Sequence, residues 1–276
     1  MASLSMRRFG LNALLLVIVL GLAGLVGWQL QQKEQQAVPQ RLLDLTLADV
    51  TSVLIERKTA SAVEKIEFKR EGNNWSLLQP VVAEANPIKV RQLFTLLDEK
   101  VEASYSSANK DLKPYGLDTG DLAVSFNGSK LVLGSTNPVS NHRYILNGQQ
   151  IQLVNEAVYG SLKEAWINFI ALNIVSDQLQ LAKVQLPAGF DDSPQLVSAW
   201  KLAEAVRVKA FDSTQVLPTM QKVRLEGATE TKELLVVNLI DEIVLADPTK
   251  QIAYVLPISQ AAQLFPAKTG LELAPK

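Results

Sequence analysis

An uncharged apolar segment near the N-terminus places the strongest constraint on how this chain can fold. The segment runs from Phe9 to Leu30, and Asn12 is its only strongly polar residue before the far end. A helix of about 20 apolar residues is long enough to cross the hydrocarbon core of a bilayer. The segment therefore predicts a transmembrane helix over residues 9–30.

The flanking residues predict the orientation of this helix. Arg7 and Arg8 precede it, whereas Lys33 and Glu34 follow it with cancelling charges. Because cytoplasmic flanks carry the excess of basic residues, we expect residues 1–8 to form a cytoplasmic tail. The chain is thereby predicted to be a single-pass protein of the bacterial cytoplasmic (inner) membrane, with a periplasmic C-terminal body.

A cleaved signal peptide is the competing interpretation, since it also combines a basic start with an apolar run. Its apolar region should span only about 7–15 residues, and the segment here is longer and ends without a small-x-small site. We therefore expect the helix to stay attached. Trp28 is placed as an interfacial anchor, and Gly21, Gly24 and Gly27 could allow close helix packing, although glycine is common in such helices.

The remaining chain divides into a stalk and a folded body. Residues 31–46 begin with a polar stretch without aromatic residues, which predicts a stalk. The rest is long enough for one large domain or two small ones. With 27 basic and 28 acidic residues in 276, the formal charge is -1, so the basic surface of a nucleic-acid-binding protein is not expected.

Two helix signals recur at a fixed interval in this body. Asn86-Pro87 and Ser193-Pro194 each precede an amphipathic segment, because Asn or Ser can cap a helix whose first position is Pro. Pro194 lies 107 positions after Pro87, and Pro187 lies 107 positions after Pro80. An ordered series of this kind predicts duplication, with related units at 47–165 and 166–276.

Strand and turn signals fill the rest of both units. We pair residues 131–138 with 243–248, and Tyr144 with Tyr254. Alternating apolar and polar residues predict strands, and the Asn-Gly pairs at 127–128 and 147–148 predict hairpin turns. The predicted fold class is α+β: one transmembrane helix, then two tandem antiparallel sheets that each carry one main helix.

A series of short motifs in the first unit resembles a known bacterial family. The motifs are an Ile55–Lys58 strand, a W-x-L-x-x-P segment from Trp75 to Pro80, a helix, Tyr115-Gly116-Leu117-Asp118, and a strand ending at Gly134. They are similar to those of an uncharacterised family, domain of unknown function 4340, over residues 47–162 and only loosely beyond. The resemblance implies a single-pass membrane protein, in some cases linked to auxiliary ABC transporters of the gliding-motility type, and implies no reaction.

Few residues could support catalysis or a cofactor. The chain has no cysteine and a single histidine, His142. A catalytic triad of nucleophile, histidine and carboxylate would have to use His142 with Asp118 and either Ser135 or Ser140. Neither serine is surrounded by the glycines of a nucleophile elbow. Calcium-loop spacing and phosphate-loop glycines are also missing from the sequence. We therefore expect no catalytic residue, metal or cofactor.

The motif residues are expected to be structural. These are Trp75, Pro80, Tyr115, Gly116, Leu117 and Gly134, and Trp200 is placed with them in the core. The apolar run at residues 166–175 is interpreted as the core between the units, with an exposed contact patch as the alternative.

Three functions remain open from the sequence. The leading hypothesis is a non-enzymatic accessory or scaffold protein that binds a membrane or envelope protein complex, such as an ABC transporter, beside the lipid bilayer. The alternative is a module that binds a small molecule, lipid or glycan in a groove between the two units. An envelope hydrolase is the third. An exposed sheet edge or flat apolar patch would favour the first, and a deep apolar pocket the second.

Overall fold

The computed structural model describes residues 18–26, 41–228 and 230–268. Most of the regular secondary structure lies in two antiparallel sheets. The first has the order β4-β3-β2-β1-β6-β7-β8-β9-β5. Its strands are β1 Ser52–Lys58, β2 Val63–Glu71, β3 Asn74–Gln79, β4 Ala83–Glu84, β5 Ala103–Ser106, β6 Leu122–Phe126, β7 Ser129–Thr136, β8 His142–Asn147 and β9 Gln150–Asn155.

The second sheet has the order β10-β12-β13-β14-β15-β11. Its strands are β10 Lys183–Gln185, β11 Arg207–Ala210, β12 Lys222–Glu226, β13 Thr231–Asn238, β14 Glu242–Asp247 and β15 Ile252–Pro257. The α-helices described in the body are α1 Pro87–Leu93, α2 Val158–Leu162, α3 Leu196–Lys201 and α4 Ala261–Leu264. Single 3-10 turns lie at Phe94–Asp98, Lys113–Tyr115, Trp166–Phe169, Asp177–Leu179, Ser213–Gln215 and Ile258–Gln260.

The predicted α+β class is wrong, because strands dominate and the helices of the body are short. α1 has 7 residues, and the chain continues from Phe94 as a 3-10 turn. α3 has 6 residues and ends at Lys201, and Val208, 14 positions after Pro194, lies in β11 rather than in a continued helix. Short apolar runs fit either a helix or a strand, so pairing with β15 decides the outcome for Val208.

The predicted transmembrane helix is also wrong. Within the described residues, no helix is both long enough and apolar enough to cross a membrane. The helical residues described in this segment are 18–26. This finding contradicts the single-pass inner-membrane localisation with a periplasmic body.

The predicted anchor residues lie only partly within the described chain. Arg7, Arg8, Gly27 and Trp28 lie outside the described residues, as does most of the predicted stalk. Gly21 and Gly24 lie in the helix at 18–26, where no described atom comes within 4 Å of an added Cβ. The close packing that we predicted at these two glycines is therefore not seen in the described part of the chain.

The helix cap at Asn86 is confirmed, whereas the one at Ser193 is not. The Asn86 side chain accepts hydrogen bonds from the backbone N–H groups of Ile88 at 3.0 Å and Lys89 at 3.2 Å. α3 begins only at Leu196, after Gln195, and no side chain caps it. The two proline-led signals therefore do not produce equivalent helix starts.

Six strands of the first sheet recur in the second in the same spatial order. The order β1-β6-β7-β8-β9-β5 corresponds to β10-β12-β13-β14-β15-β11. The last strands in these two orders, β5 and β11, are edge strands, and each is flanked by the same pair of backbone hydrogen bonds. Beside β5, Glu102 N–H donates to Leu153 O and Ser107 N–H donates to Gln149 O. Beside β11, Val206 N–H donates to Val255 O and Phe211 N–H donates to Gln251 O.

The residue pairing that we predicted between the units is shifted by one strand. Residues 131–138 lie on β7, but 243–248 lie on β14, whose counterpart in strand order is β8. Tyr144 on β8 and Tyr254 on β15 are displaced in the same way. The strands β2, β3 and β4 have no counterpart in the second sheet. An apolar strand pattern repeats from strand to strand, so similarity alone does not fix the register.

The apolar run at 166–175 joins the two units. On one side, Asn86 N–H donates to Phe169 O and Ala171 N–H to Glu84 O. On the other, Ile174 N–H donates to Ala203 O and Ala205 N–H to Leu172 O. The side chains of Phe169 and Ile174 are buried in one apolar core that extends through both units. The interpretation of this run as core is confirmed.

Candidate functional sites

His142 stands at the start of β8, opposite Asn155. Its Nδ1 lies 2.8 Å from the carbonyl oxygen of Ser140, so Nδ1 carries the proton and donates. None of the hydrogen bonds among the described residues joins the His142 ring to Ser135, Asp118 or the Ser140 hydroxyl. The arrangement needed for a nucleophile activated by histidine is therefore not assembled in the described part of the chain.

Tyr115, Gly116, Leu117 and Gly134 come together in one contact on the outer face of the first sheet. Gly116 adopts φ +64, and an added Cβ would lie 2.9 Å from the backbone nitrogen of Ser135. A Cβ on Gly134 would overlap the carbonyl oxygen of Tyr115 and the side chain of Leu117. The two motifs are thus the two sides of one close packing contact, which gives these residues a structural role.

Trp75 and Pro80 also have structural positions. The Trp75 ring is mostly buried and packs against Phe94 with centroids 5.4 Å apart, with the Arg70 guanidinium 5.9 Å from its centroid. Pro80 is exposed and follows the last residue of β3.

Arg143 forms a buried polar cluster that the sequence did not reveal. Its Nε and Nη2 lie 2.9 and 2.5 Å from the carboxylate of Glu156, and Nη1 donates to the Gly134 carbonyl. The Tyr159 ring lies 3.5 Å from the guanidinium carbon. Burial opposes ionisation of Glu156, but hydrogen bonds from Arg143 and Thr136 outweigh it and lower the pKa of Glu156. The cluster clamps β7, β8 and α2 together.

A cavity of about 220 Å³ lies between the two units. Its walls come from β3 and β4 of the first sheet, from residues 171–179, and from the second sheet. A more open recess of about 430 Å³ adjoins it, and both are lined by Glu230, Lys232 and Lys250. We call these two spaces together the junction cavity. Its lining mixes polar and apolar atoms, unlike the deep apolar pocket that a hydrophobic ligand would need.

Lys232 is the most unusual residue of the junction cavity. It lies on β13 on the same face as Leu234, whose side chain is fully buried. Its ammonium donates to the Ile174 carbonyl at 2.9 Å and lies 4.7 Å from the centroid of the Tyr254 ring. Burial, and then repulsion from Lys250, lower its pKa to about 8.

The groups around Lys232 set the charge of the cavity. Asp247, Glu230 and Glu84 attract the Lys232 ammonium, but the ion pairs of the described residues involve neither Lys232 nor Lys250. Burial also raises the pKa of Tyr254, which keeps its hydroxyl protonated. The cavity thus presents two ammonium groups and a phenol hydroxyl as hydrogen-bond donors.

Metal binding has no comparable support. Among the described residues, no group of three or more His, Asp or Glu side chains is gathered as a metal site would require. The acidic residues of the junction cavity are therefore better understood as counter-charges to its lysines.

The edge of the first sheet at β5 is a second candidate site. The N–H groups of successive residues in a strand point alternately to its two sides. Ser107 N–H points toward β9 and donates to Gln149 O, so the N–H groups of Ser104 and Ser106 point away from the sheet. No described segment pairs with this side of β5. Ser104, Tyr105 and Ser106 are exposed and uncharged, and Lys110 covers the Tyr105 ring at 5.2 Å.

The equivalent edge of the second sheet, at β11, is built differently. There Phe211 N–H donates to Gln251 O, so the N–H groups of Val208 and Ala210 point outward. β11 carries Arg207 and Lys209, which lie 2.8 and 3.8 Å from the carboxylate of Glu242. Charged side chains on an edge strand discourage pairing with another chain, so β11 is protected where β5 is not.

The family profile described as "Domain of unknown function (DUF4340)" matches residues 75–235. The chain belongs to this family. The match runs from Trp75 to Leu235, across the junction between the units and well into the second sheet. No curated protein and no solved structure matches the chain significantly.

The matched region of this DUF4340 member contains both candidate sites in part. It includes the whole of β5 and, from the junction cavity, Glu84, Glu230 and Lys232, whereas Lys250 and Tyr254 lie beyond it. The family resemblance is confirmed, while the membrane anchor and transporter link that the resemblance implied are not shown.

The sequence did contain one signal for the junction cavity. In β13, Thr231–Asn238, strict alternation places Lys232 on the face of Leu234, which is the face that packs into the core. A lysine on the buried face of a strand is rare unless it is paired or functional. The remaining cavity residues come from distant parts of the chain, and no spacing rule brings them together.

Proposed function

We propose that this DUF4340 protein is a non-enzymatic binding protein that recognises a partner protein by adding a strand at β5. In this binding mode an extended segment of the partner forms backbone hydrogen bonds with an open sheet edge, and side chains on alternate positions provide specificity.

One observation carries the proposal: of two edge strands in equivalent positions, only β11 is protected by charge. Arg207 and Lys209 of β11 are held by Glu242, whereas the exposed residues of β5 are Ser104, Tyr105 and Ser106. An open edge risks aggregation, and proteins usually protect such edges. An unprotected edge in a molecule that protects its counterpart supports a role in binding.

The proposal also predicts the chemistry of the partner segment. Tyr105 pairs with Ile151 of β9, and Ile151 pairs with Leu146 of β8. A strand added beside β5 would extend this row, so an apolar or aromatic residue is expected opposite Tyr105. Four residues of edge give few hydrogen bonds, so a reversible complex is expected.

The test compares proline substitutions at equivalent positions of the two edges. Ser106→Pro removes an outward N–H from β5, and Ala210→Pro removes the corresponding N–H from β11. Neither change removes a bond within its sheet, so both variants should fold. A photo-crosslinker at Tyr105 would first identify the partner, and affinity would then be measured with both components purified.

Ser106→Pro should weaken the purified complex about tenfold or more, because one backbone hydrogen bond is lost and the proline ring obstructs the added strand. Ala210→Pro should leave the affinity unchanged. Equal affinities for wild type and Ser106→Pro, with both proteins folded, would refute strand addition at β5.

A second candidate function is the binding of a small molecule between the two units. It is supported by the junction cavity and by the position of the Lys232 ammonium within it. The two functions use different surfaces, so either can be tested without the other.

A further inference from the structure

The junction cavity brings two lysine side chains together. Lys232 comes from the middle strand β13, and Lys250 comes from the turn between β14 and β15. Both line the enclosed part of the cavity and the open recess. Repulsion from Lys250 is the largest charge effect on Lys232, as expected for two ammonium groups that line the same cavity.

The lysine pair is not neutralised by direct contact with the protein. Asp247, the nearest acidic group in sequence, uses its carboxylate to accept the Lys250 backbone N–H at 3.2 Å. Glu230 and Glu84 also attract Lys232. Within the described chain, the only hydrogen bond of the Lys232 ammonium is to the Ile174 carbonyl, which leaves two of its three donors available.

Tyr254 adds a third donor to the same cavity. Its ring packs beneath the Lys232 ammonium, and its residue is 4% exposed. No hydrogen-bond partner for its hydroxyl is found among the described residues. Two adjacent ammonium groups and a phenol hydroxyl are complementary to one group with several acceptor oxygens and negative charge.

We propose that the junction cavity binds a small molecule through a phosphate group held between Lys232 and Lys250. This inference names the ligand for the second candidate function and rests on it. The enclosed part of the cavity, about 220 Å³, lies below the usual range for drug-sized ligands, so a compact phosphate compound fits. Glu84 and Glu230 also line this part, and they favour a ligand whose remaining groups are hydrogen-bond donors.

The binding of inorganic phosphate to the full chain tests this proposal most simply. Titration calorimetry and thermal unfolding would be run with phosphate and with chloride at equal ionic strength. We expect saturable binding of phosphate only. Lys232→Met and Lys250→Met should each weaken it about 10- to 100-fold, because each removes a charged hydrogen-bond donor.

Lys222→Met is the matched control. Lys222 lines the open recess but is 3.5 Å from the Glu233 carboxylate, with which it already forms an ion pair. Its replacement should leave phosphate affinity unchanged. Lys250 lies on a turn, so its variant should fold even if substitution at Lys232 were to disturb the core.

The pH dependence gives an independent readout. Lys232 loses its proton near pH 8, so the affinity for phosphate, which stays a dianion above about pH 8, should fall as the pH rises from 8 to 10. Glycerol phosphate and a soluble short-chain phosphatidate would then distinguish a free metabolite from a lipid headgroup. Absence of saturable phosphate binding, or equal binding by wild type and both cavity variants, would overturn the proposal.

Discussion

Gly134 lies directly beneath the carbonyl oxygen of Tyr115, so close that any side chain at this position would overlap that oxygen. Gly134 is on β7, and Tyr115 ends the 3-10 turn Lys113–Tyr115 in the connection from β5 to β6. Two motifs that stand apart in the sequence are therefore one packing contact. This contact accounts for the absence of a side chain at Gly134 and for the close approach of Gly116 to Ser135.

Replacing either glycine of this contact should destabilise the protein. Gly134→Ala should lower the free energy of unfolding by about 1–3 kcal/mol or more, because backbone must move to make room. Gly116→Ala should have two costs: backbone strain at φ +64, and a close contact between the new Cβ and Ser135. Gly72 has φ +62 and open space around it, so Gly72→Ala measures the backbone strain alone. Urea denaturation should show a larger loss for Gly116→Ala than for Gly72→Ala, and equal losses would contradict the packing explanation.

Trp200 should be essential to the core of the second unit. Its ring is fully buried, lies 5.6 Å from Phe265, and donates through Nε1 to the Leu264 carbonyl at 3.2 Å. Trp200→Ala should therefore cost about 3–5 kcal/mol of stability, and Trp200→Phe less, because it keeps more of the packing. A loss below about 1 kcal/mol for Trp200→Ala in urea denaturation would show that α3 contributes little to the core.

Lys232 should make stability depend on pH above neutrality. Its pKa in the folded protein is about 8, below the ordinary value of 10.5, so folding favours the uncharged amine. Stability should then be constant below about pH 8 and rise as the pH increases toward 10.5. The full difference is at most about 3 kcal/mol, since one pKa unit is worth about 1.4 kcal/mol.

Lys232→Met should abolish this rise. It should also stabilise the protein at pH 7 by about 1–2 kcal/mol, because removal of the buried charge outweighs the loss of about 1 kcal/mol from the hydrogen bond to Ile174. Denaturation curves from pH 7 to 10.5 would measure both effects, with Lys222→Met as the control. A gain in stability together with a loss of phosphate binding would mark Lys232 as a residue kept for binding. A variant less stable than wild type at pH 7 would contradict the cost assigned to the buried charge.

Local signals predicted local structure well. Asn86 caps α1 as expected, and the Asn127-Gly128 pair forms the turn between β6 and β7. The turn between β8 and β9 is Gly148-Gln149, one residue after the predicted Asn147-Gly148 pair. In each case the signal and its effect lie within a few residues, so the rest of the fold does not alter the outcome.

Features that depend on distant partners were predicted poorly. The helix after Ser193 ends at Lys201 because Arg207–Ala210 pairs with β15, and no local rule contains that partner. The contact between Tyr115 and Gly134, and the meeting of Glu84, Ile174 and Lys232, likewise arise from the topology.

The central claim is that β5 is an open edge that binds a partner strand. Hydrogen exchange of the purified complex tests it most directly, by comparing the outward amides of Ser104 and Ser106 with those of Val208 and Ala210 in β11. The account predicts fast exchange at Ser104 and Ser106 in the free protein and strong protection of these two amides in the complex, with no change at β11. Unchanged exchange at Ser104 and Ser106 in a saturated complex would contradict it.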